Sequence, residues 1–148
     1  MRNKKTRQRL GKLPPRYSFM LNSYETERLS KCPKCKQLTK LRKFALFIHI
    51  DELGIILLGK TCRFCPSCDL IMAHQDELEH ELANNLAVMN PGAIGKDYLV
   101  LGTVDMKVWR QGLKGGNDFD TVLKHTADFK KYFDLHVEPG GWYPANEK

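Results

Sequence analysis

Five cysteines in two clusters are the residues of this chain whose types and spacing could do chemistry. Cys32 and Cys35 form one Cys-x-x-Cys hook, and a second cluster of three, Cys62, Cys65 and Cys68, follows. Two such hooks are typical of a tetrahedral zinc site with four thiolate ligands. An odd number of cysteines also fits metal ligation with one spare thiol better than a set of disulfides. The spacing therefore predicts one structural Zn²⁺ per chain.

The second cluster contains two candidate ligand pairs. Cys65 and Cys68 enclose Pro-Ser, which repeats the Cys-Pro-x-Cys form of the first hook. This favours Cys32, Cys35, Cys65 and Cys68 as the ligands, with Cys62 as the spare thiol, although the pair Cys62 and Cys65 remains open. An iron–sulfur cluster would also need four thiolates, but a hairpin with two matching hooks favours a mononuclear site.

A structural rather than catalytic metal is expected, because four cysteines fill the coordination shell and leave no open position for a substrate. The zinc-deaminase signature is also missing, since Asp51 stands where that signature has glutamate and no proline precedes Cys62. Nearby cations are expected to offset the negative charge of the thiolates. They are Lys31, Lys34, Lys36, Lys60 and Arg63.

The elements that must position the hooks can be predicted from hydrophobic periodicity. Phe44, Leu46, Ile48 and Ile50 alternate along one face of a strand over 39–50, and a turn at 51–54 leads to a second strand. Residues 70–89 have apolar side chains at helical spacing and end at an Asn-Pro-Gly stop. We therefore predict an α+β fold: a zinc-ribbon β-hairpin followed by an amphipathic helix and a small C-terminal α/β half. The predicted organisation is a disordered basic tail at 1–16, the ribbon plus helix at 17–95, and the C-terminal half at 96–148.

The net charge of +7 is distributed unevenly along the 148 residues. Residues 1–16 contain no acid, and the predicted ribbon is basic, whereas residues 69–95 contain five acids and no lysine or arginine. Basic segments of this kind bind phosphates, with Phe44 and Phe47 as candidate stacking partners for bases. The candidate nucleic-acid ligands are Arg2, Lys4, Lys5, Arg7, Arg9, Lys12, Arg16, Lys40, Arg42 and Lys43. RNA, the ribosome or DNA is the expected partner.

A family resemblance rests on these motifs and extends over about residues 17–82. The motifs include Cys-Pro-x-Cys at 32–35, Leu-Arg-Lys-Phe at 41–44, Thr-Cys-Arg-Phe-Cys-Pro-x-Cys-Asp at 61–69 and Ala-His-Gln-Asp at 73–76. The segment resembles a group of uncharacterised bacterial zinc-ribbon proteins, which implies a ribbon and a metal site but no activity. Zinc ribbons often have glycine after each hook, whereas Lys36 and Asp69 stand there in this chain. The turns are therefore expected to differ in detail.

Two other functions remain open from the sequence. The chain could be a protein–protein adaptor that uses its acidic helix or the aromatic residues of the C-terminal half. It could also be an enzyme with a site at His74, Glu77 and Glu81, which share one face of the predicted helix. Phosphate-loop and serine-nucleophile motifs are missing, so a non-enzymatic binding module is the preferred hypothesis. With no secretory signal and no long apolar run, a cytoplasmic location without membrane contact is expected.

Overall fold

A computed structural model describes residues 10–113, 119–138 and 141–144 of the chain. The described part is mostly sheet, with 42% of residues in strands and 25% in helices. The strands are β1 (Ser18–Asn22), β2 (Lys40–Ile50), β3 (Gly54–Cys65), β4 (Leu70–His74), β5 (Tyr98–Val104), β6 (Thr126–Asp128), β7 (Lys131–Glu138) and β8 (Gly141–Pro144). The helices are α1 (Gln75–Met89), a 3-10 turn (Pro91–Ala93), α2 (Met106–Leu113) and α3 (Phe119–Lys124).

The strands form one curled sheet in the order β6-β5-β2-β3-β4-β1-β7-β8. Seven of them make a half-barrel, and β8 extends it through an antiparallel pairing with β7. Strand β1 lies parallel to both of its neighbours, β4 and β7, whereas β2, β3 and β5 are joined by antiparallel ladders. Strands from the first and last thirds of the chain, β1 and β7, therefore pair near one end of the sheet.

The long hairpin of β2 and β3 divides the core into two layers because its side chains alternate between faces. Phe44, Leu46, Ile48 and Ile50 face the concave side, where they pack with Leu78, Leu82 and Leu86 of α1. Ala45 and Phe47 face the convex side and pack with residues of α2 and α3. The predicted one-sided alternation in β2 is what places these two layers on opposite faces.

The convex layer depends on a close approach between β3 and α2. A Cβ atom on Gly59 would lie 2.4 Å from Cζ2 of Trp109, so only glycine leaves room for the indole ring. The ammonium group of Lys43 lies 4.8 Å from the centroid of the same ring. Trp109 is therefore held between the sheet backbone and a lysine.

The predicted fold class is wrong. The hairpin at 40–65 is not a separate ribbon that packs on a helix and a small α/β half. It is the centre of one large sheet, because β5 adds to the free edge of β2 and β4 adds to the end of β3. The predicted helix over 70–89 is also too long: residues 70–74 form β4, because they pair with β1 and β3, and the helix begins at Gln75.

Strands from both predicted domains share this sheet, since β5 pairs with β2 and β7 with β1. Residues 10–16, assigned by the sequence to the disordered tail, are hydrogen-bonded to the segment around β6. The amides of Leu10 and Gly11 donate to the Asp128 carboxylate, and the Lys12 amide donates to the Leu123 carbonyl. The tail residues 1–9 lie outside the described residues. None of the described helices combines the length and apolar character that crossing a bilayer requires.

Candidate metal centre

The first hook is a tight turn closed by backbone hydrogen bonds. The Lys36 amide donates to the Cys32 carbonyl at 2.8 Å, and the Cys32 amide donates to the Gln37 carbonyl at 2.8 Å. The Lys34 amide points at the Cys32 sulfur, with an N···S distance of 3.4 Å. Amides aimed at sulfur stabilise a thiolate, so the turn prepares its cysteines to act as ligands.

The residue after each hook has a left-handed backbone. Lys36 has a φ of 67° and Asp69 has a φ of 56°, which is the conformation that glycine adopts without steric cost. Both residues adopt this backbone geometry without being glycine. Asp69 is also fixed by its neighbours: its carbonyl accepts from the Ser18 amide at 2.9 Å, and its carboxylate lies 3.8 Å from Nε of Arg16.

The two hooks bring four sulfur atoms together. The sulfurs of Cys35 and Cys65 lie 3.4 Å apart, those of Cys32 and Cys68 lie 3.9 Å apart, and all four lie within 4.8 Å of one another. Metal–sulfur bonds of about 2.3 Å in a tetrahedron place neighbouring sulfurs about 3.8 Å apart. The four cysteines therefore lie together in an arrangement that could hold a metal ion.

Cys62, the fifth cysteine, belongs to a different part of the molecule. It is buried in the concave layer beneath α1, and its sulfur is 3.6 Å from the Lys60 carbonyl. The four-sulfur cluster includes Cys68 and not Cys62. The geometry therefore favours the Cys-Pro-x-Cys repeat over the alternative pair Cys62 and Cys65.

Cys35, Cys65 and Cys68 differ in how readily they lose a proton. A hydrogen bond from the Gln37 backbone lowers the pKa of Cys35 to about 7, despite the opposing effect of burial. Burial raises the pKa of both Cys65 and Cys68, and the neighbouring sulfurs raise them further. Of these three, Cys35 ionises most readily, and a bound cation would favour ionising Cys65 and Cys68 as well.

An apolar shell surrounds the four cysteines on the face of β1 and β4 opposite α1. It is formed by Met20, Leu29, Leu70, Met72, Phe133 and Leu135. The ammonium of Lys34 lies 4.6 Å from the ring centroid of Phe133, which adds a cation at the edge of this shell. An apolar shell with positive charge at its edge suits a cluster of thiolates, because it limits solvent access while the cation offsets net charge.

The prediction that Lys60 offsets the negative charge of the thiolates is wrong. Its side chain is only 3% exposed and its ammonium lies 3.4 Å from a Glu77 oxygen and 3.2 Å from a Glu81 oxygen. Burial by itself would lower the pKa of Lys60, but the hydrogen bond and charge of Glu81, with the charges of Cys62 and Glu77, raise it. Lys60 is therefore a buried cation neutralised by α1 and not by the metal cluster.

His74, Glu77 and Glu81, the candidate enzyme site, are engaged in structural contacts. The His74 ring nitrogen Nε2 contacts the backbone carbonyl of Glu27, and the two glutamates bind Lys60. His74 and Glu77 line a cavity of about 540 Å³ that also includes Lys60 and Cys62. The sequence did not indicate the Lys60 pairing, since a lysine inside a strand has no local sign of its distant partners.

The candidate nucleic-acid residues are partly within the described chain. Lys12, Arg16, Lys40, Arg42 and Lys43 are exposed, whereas Arg2, Lys4, Lys5, Arg7 and Arg9 lie outside the described residues. Phe44 is 4% exposed and Phe47 is fully buried. The expectation that these two rings stack on bases is therefore wrong, because both belong to the core.

Arg42 covers a cluster of three buried aromatic rings. Its guanidinium carbon lies 4.9 Å from the Phe44 ring, 5.2 Å from the Phe64 ring and 6.0 Å from the Tyr17 ring. The three rings meet edge to face, with centroids 5.4 to 5.6 Å apart. Cation–π attraction therefore holds Arg42 in place while its side chain remains exposed.

A scan against protein-family models, a search of curated proteins and a search of solved structures each gave no match for this chain. The site is therefore interpreted from its own residues.

Proposed function

We propose that the chain is a non-enzymatic zinc-binding module in which one Zn²⁺, held by Cys32, Cys35, Cys65 and Cys68, has a structural role. The observation that carries the proposal is the convergence of four sulfurs within 4.8 Å of one another. Four thiolate ligands suit zinc and complete its shell. Membership in the zinc-ribbon group that residues 17–82 resemble is part of the same proposal.

The ion would join two segments that, among the described residues, are not paired with each other in a β-ladder. The first hook lies within the loop at 23–39 that connects β1 to β2, and the second hook connects β3 to β4. A metal bridging them would fix the loop at 23–39 against the sheet, as a cross-link does. Removing the ion is therefore expected to loosen this loop first.

Elemental analysis of the purified full chain, with single Cys→Ser variants, tests this proposal. One zinc per chain is expected in the wild type, with loss of the metal in C32S, C35S, C65S and C68S. C62S is the matched control and should retain the zinc. Absence of metal, bound iron, or equal loss in C62S would contradict the proposed site.

We propose further that the basic surface beside the metal centre binds nucleic-acid phosphates. Six basic residues lie between Leu29 and Ile50 without an acid among them, and all six are exposed. They are Lys31, Lys34, Lys36, Lys40, Arg42 and Lys43. Since Phe44 and Phe47 are buried, recognition would rest on phosphate contacts and not on base stacking. RNA, ribosomal RNA and DNA share that chemistry.

Fluorescence anisotropy with labelled single-stranded RNA and double-stranded DNA tests the basic surface. Affinity is expected to fall steeply with salt, and K40E or K31E should weaken it about tenfold or more at low salt. K107E is the matched control, because Lys107 is an exposed lysine on α2. Deleting residues 1–9 tests the tail without removing the Gly11–Asp128 hydrogen bond. An equal loss of affinity in K107E, or an affinity that does not depend on salt concentration, would contradict the proposal.

A protein partner is the second candidate, favoured by exposed apolar side chains at the end of α1. Val88 is 86% exposed and Met89 is 61% exposed. An adaptor that used this end would bind its partner in high salt and after nuclease treatment. V88D/M89D should abolish such binding while leaving the zinc content unchanged. The aromatic side chains of residues 142 and 143, also considered for this role, lie outside the described side chains.

A further inference from the structure

A second cavity of about 540 Å³ lies between α1 and the sheet, and none of the hook residues lines it. Its walls come from α1, from the segment at 93–98 and from the strands beneath. The apolar floor includes Leu21, Ile50, Leu82 and Leu86. This volume is typical of small-molecule sites, which are apolar with a few placed polar groups.

One carboxylate at the rim of this cavity is fixed in position. Oε2 of Glu79 accepts a hydrogen bond from the Tyr98 hydroxyl at 2.8 Å and another from Nε2 of Gln75 at 2.9 Å. Oε1 has no hydrogen-bond partner among the described residues. Burial raises the pKa of Tyr98, and the Glu79 carboxylate raises it further. The phenol therefore stays protonated and donates its hydrogen bond to Glu79.

The charge around the cavity is negative. Asp97 lines it together with Glu79. Lys96 lines it too, but its ammonium lies 3.1 Å from a carboxylate oxygen of Glu52, so the two acids of the lining are not neutralised in full. The Tyr98 ring also lines the cavity and offers a π-face. An oriented carboxylate beside an aromatic ring attracts organic cations and repels anions.

We propose that this cavity binds a small amphipathic amine, with the ammonium group at Glu79 and the apolar part over Leu21, Ile50 and Leu82. Glu79 provides charge and direction, Tyr98 and Gln75 hold that carboxylate in place, and the leucine-rich floor receives the hydrocarbon. The site is independent of the metal centre, because none of the four cysteines lines it.

Titration of the full, metal-loaded chain with n-hexylammonium, followed by amide chemical shifts, tests the proposal. Saturable shifts are expected at α1 and at residues 93–98. Hexanoate, which has the same chain length and the opposite charge, should not produce them. Equal binding of hexanoate, or shifts distributed over the surface, would overturn the proposal.

Variants separate the charge from the shape of the cavity. E79Q keeps the hydrogen bonds and removes the charge, so it should weaken hexylammonium binding about fivefold or more. A83F should block binding, because Ala83 lines the cavity and is half-exposed. D76N is the matched control, since Asp76 is an exposed acid of the same helix outside the cavity. Unchanged affinity in E79Q, or equal loss in D76N, would overturn the proposal.

Discussion

The buried Lys60 gives an asymmetric prediction about stability. Its side chain is 3% exposed, whereas those of its partners Glu77 and Glu81 are 60% and 41% exposed. Removing the lysine leaves two carboxylates that water can solvate. Removing the carboxylates leaves an ammonium on a nearly buried side chain without a counter-charge. The double variant E77Q/E81Q should therefore destabilise the protein more than K60M does.

The expected magnitudes differ by several kcal/mol. K60M loses two ion pairs with solvated partners, each worth up to about 1 kcal/mol, and gains an apolar side chain at a buried position. Its net cost should be about 1 kcal/mol or less. E77Q/E81Q leaves a buried charge without a counter-charge, which costs roughly 3–5 kcal/mol. The triple variant K60M/E77Q/E81Q should recover most of that loss.

Urea denaturation of the metal-loaded chain, followed by circular dichroism at pH 7, measures these free energies of unfolding. D76N is the control. Asp76 and Glu77 are both acids in the first turn of α1, where a negative charge interacts with the helix dipole by about 0.3–1 kcal/mol, so D76N measures that contribution alone. The explanation fails if K60M costs as much as the double variant, or if the triple variant does not recover stability.

The pH dependence gives a second check on the same residues. In the wild type the pKa of Lys60 is raised above its ordinary value of 10.5. Its favourable contribution is therefore present at neutral pH and lost as pH rises through the raised value. In E77Q/E81Q, burial alone should lower the pKa of Lys60, so the unfolded chain would hold the proton more tightly. The stability of that variant should then rise between pH 7 and 10 relative to the wild type.

Three further changes test other parts of the fold, each measured by urea denaturation. Burial raises the pKa of Cys62 to about 12 from an ordinary 9.0, so wild-type stability should fall between those pH values by up to about 1.4 kcal/mol per pH unit. C62A should remove that part of the slope, and parallel slopes would contradict the assignment. G59A should lower the free energy of unfolding by about 1–3 kcal/mol, because the added methyl group collides with Trp109. G92A should be tolerated, because Gly92 has room for a methyl group; equal losses in the two variants would argue against the collision. K36G should retain zinc and gain up to about 1 kcal/mol, because glycine adopts the left-handed backbone of Lys36 without steric cost. K36V should be less stable than the wild type, because β-branched residues are strongly disfavoured there; a K36G that gains nothing together with a harmless K36V would disprove that strain.

The local parts of the site could be predicted because their signals are local. Each hook is defined by two cysteines with two residues between them, and the faces of β2 follow from its alternation. The role of Cys62 as the spare thiol also follows, because the second Cys-Pro-x-Cys repeat uses Cys65 and Cys68. The structure brings together the four cysteines that the repeat favours.

The architecture could not be predicted because it depends on distant pairings. Residues 70–74 have apolar side chains that continue the periodicity of α1, and they become a strand only because β1 and β3 lie on either side. The strand β5 has no sequence signal for its partner β2. Lys60 is likewise close in sequence to the cysteines, but its partners Glu77 and Glu81 come from α1. In each case tertiary contacts outweighed the local pattern.

The position of β1 between β4 and β7 has a consequence for the order of folding. Ser18 pairs with Leu70 on one side and with Lys131 on the other, so these contacts span much of the chain. Non-local pairing of this kind slows folding, because loop-closure entropy is lost before the contacts form. The hairpin and its cysteine hooks, which close over a short stretch, can assemble during synthesis. The sheet is completed only after β7 has left the ribosome, and until then one edge of β1 remains open to pairing with other chains.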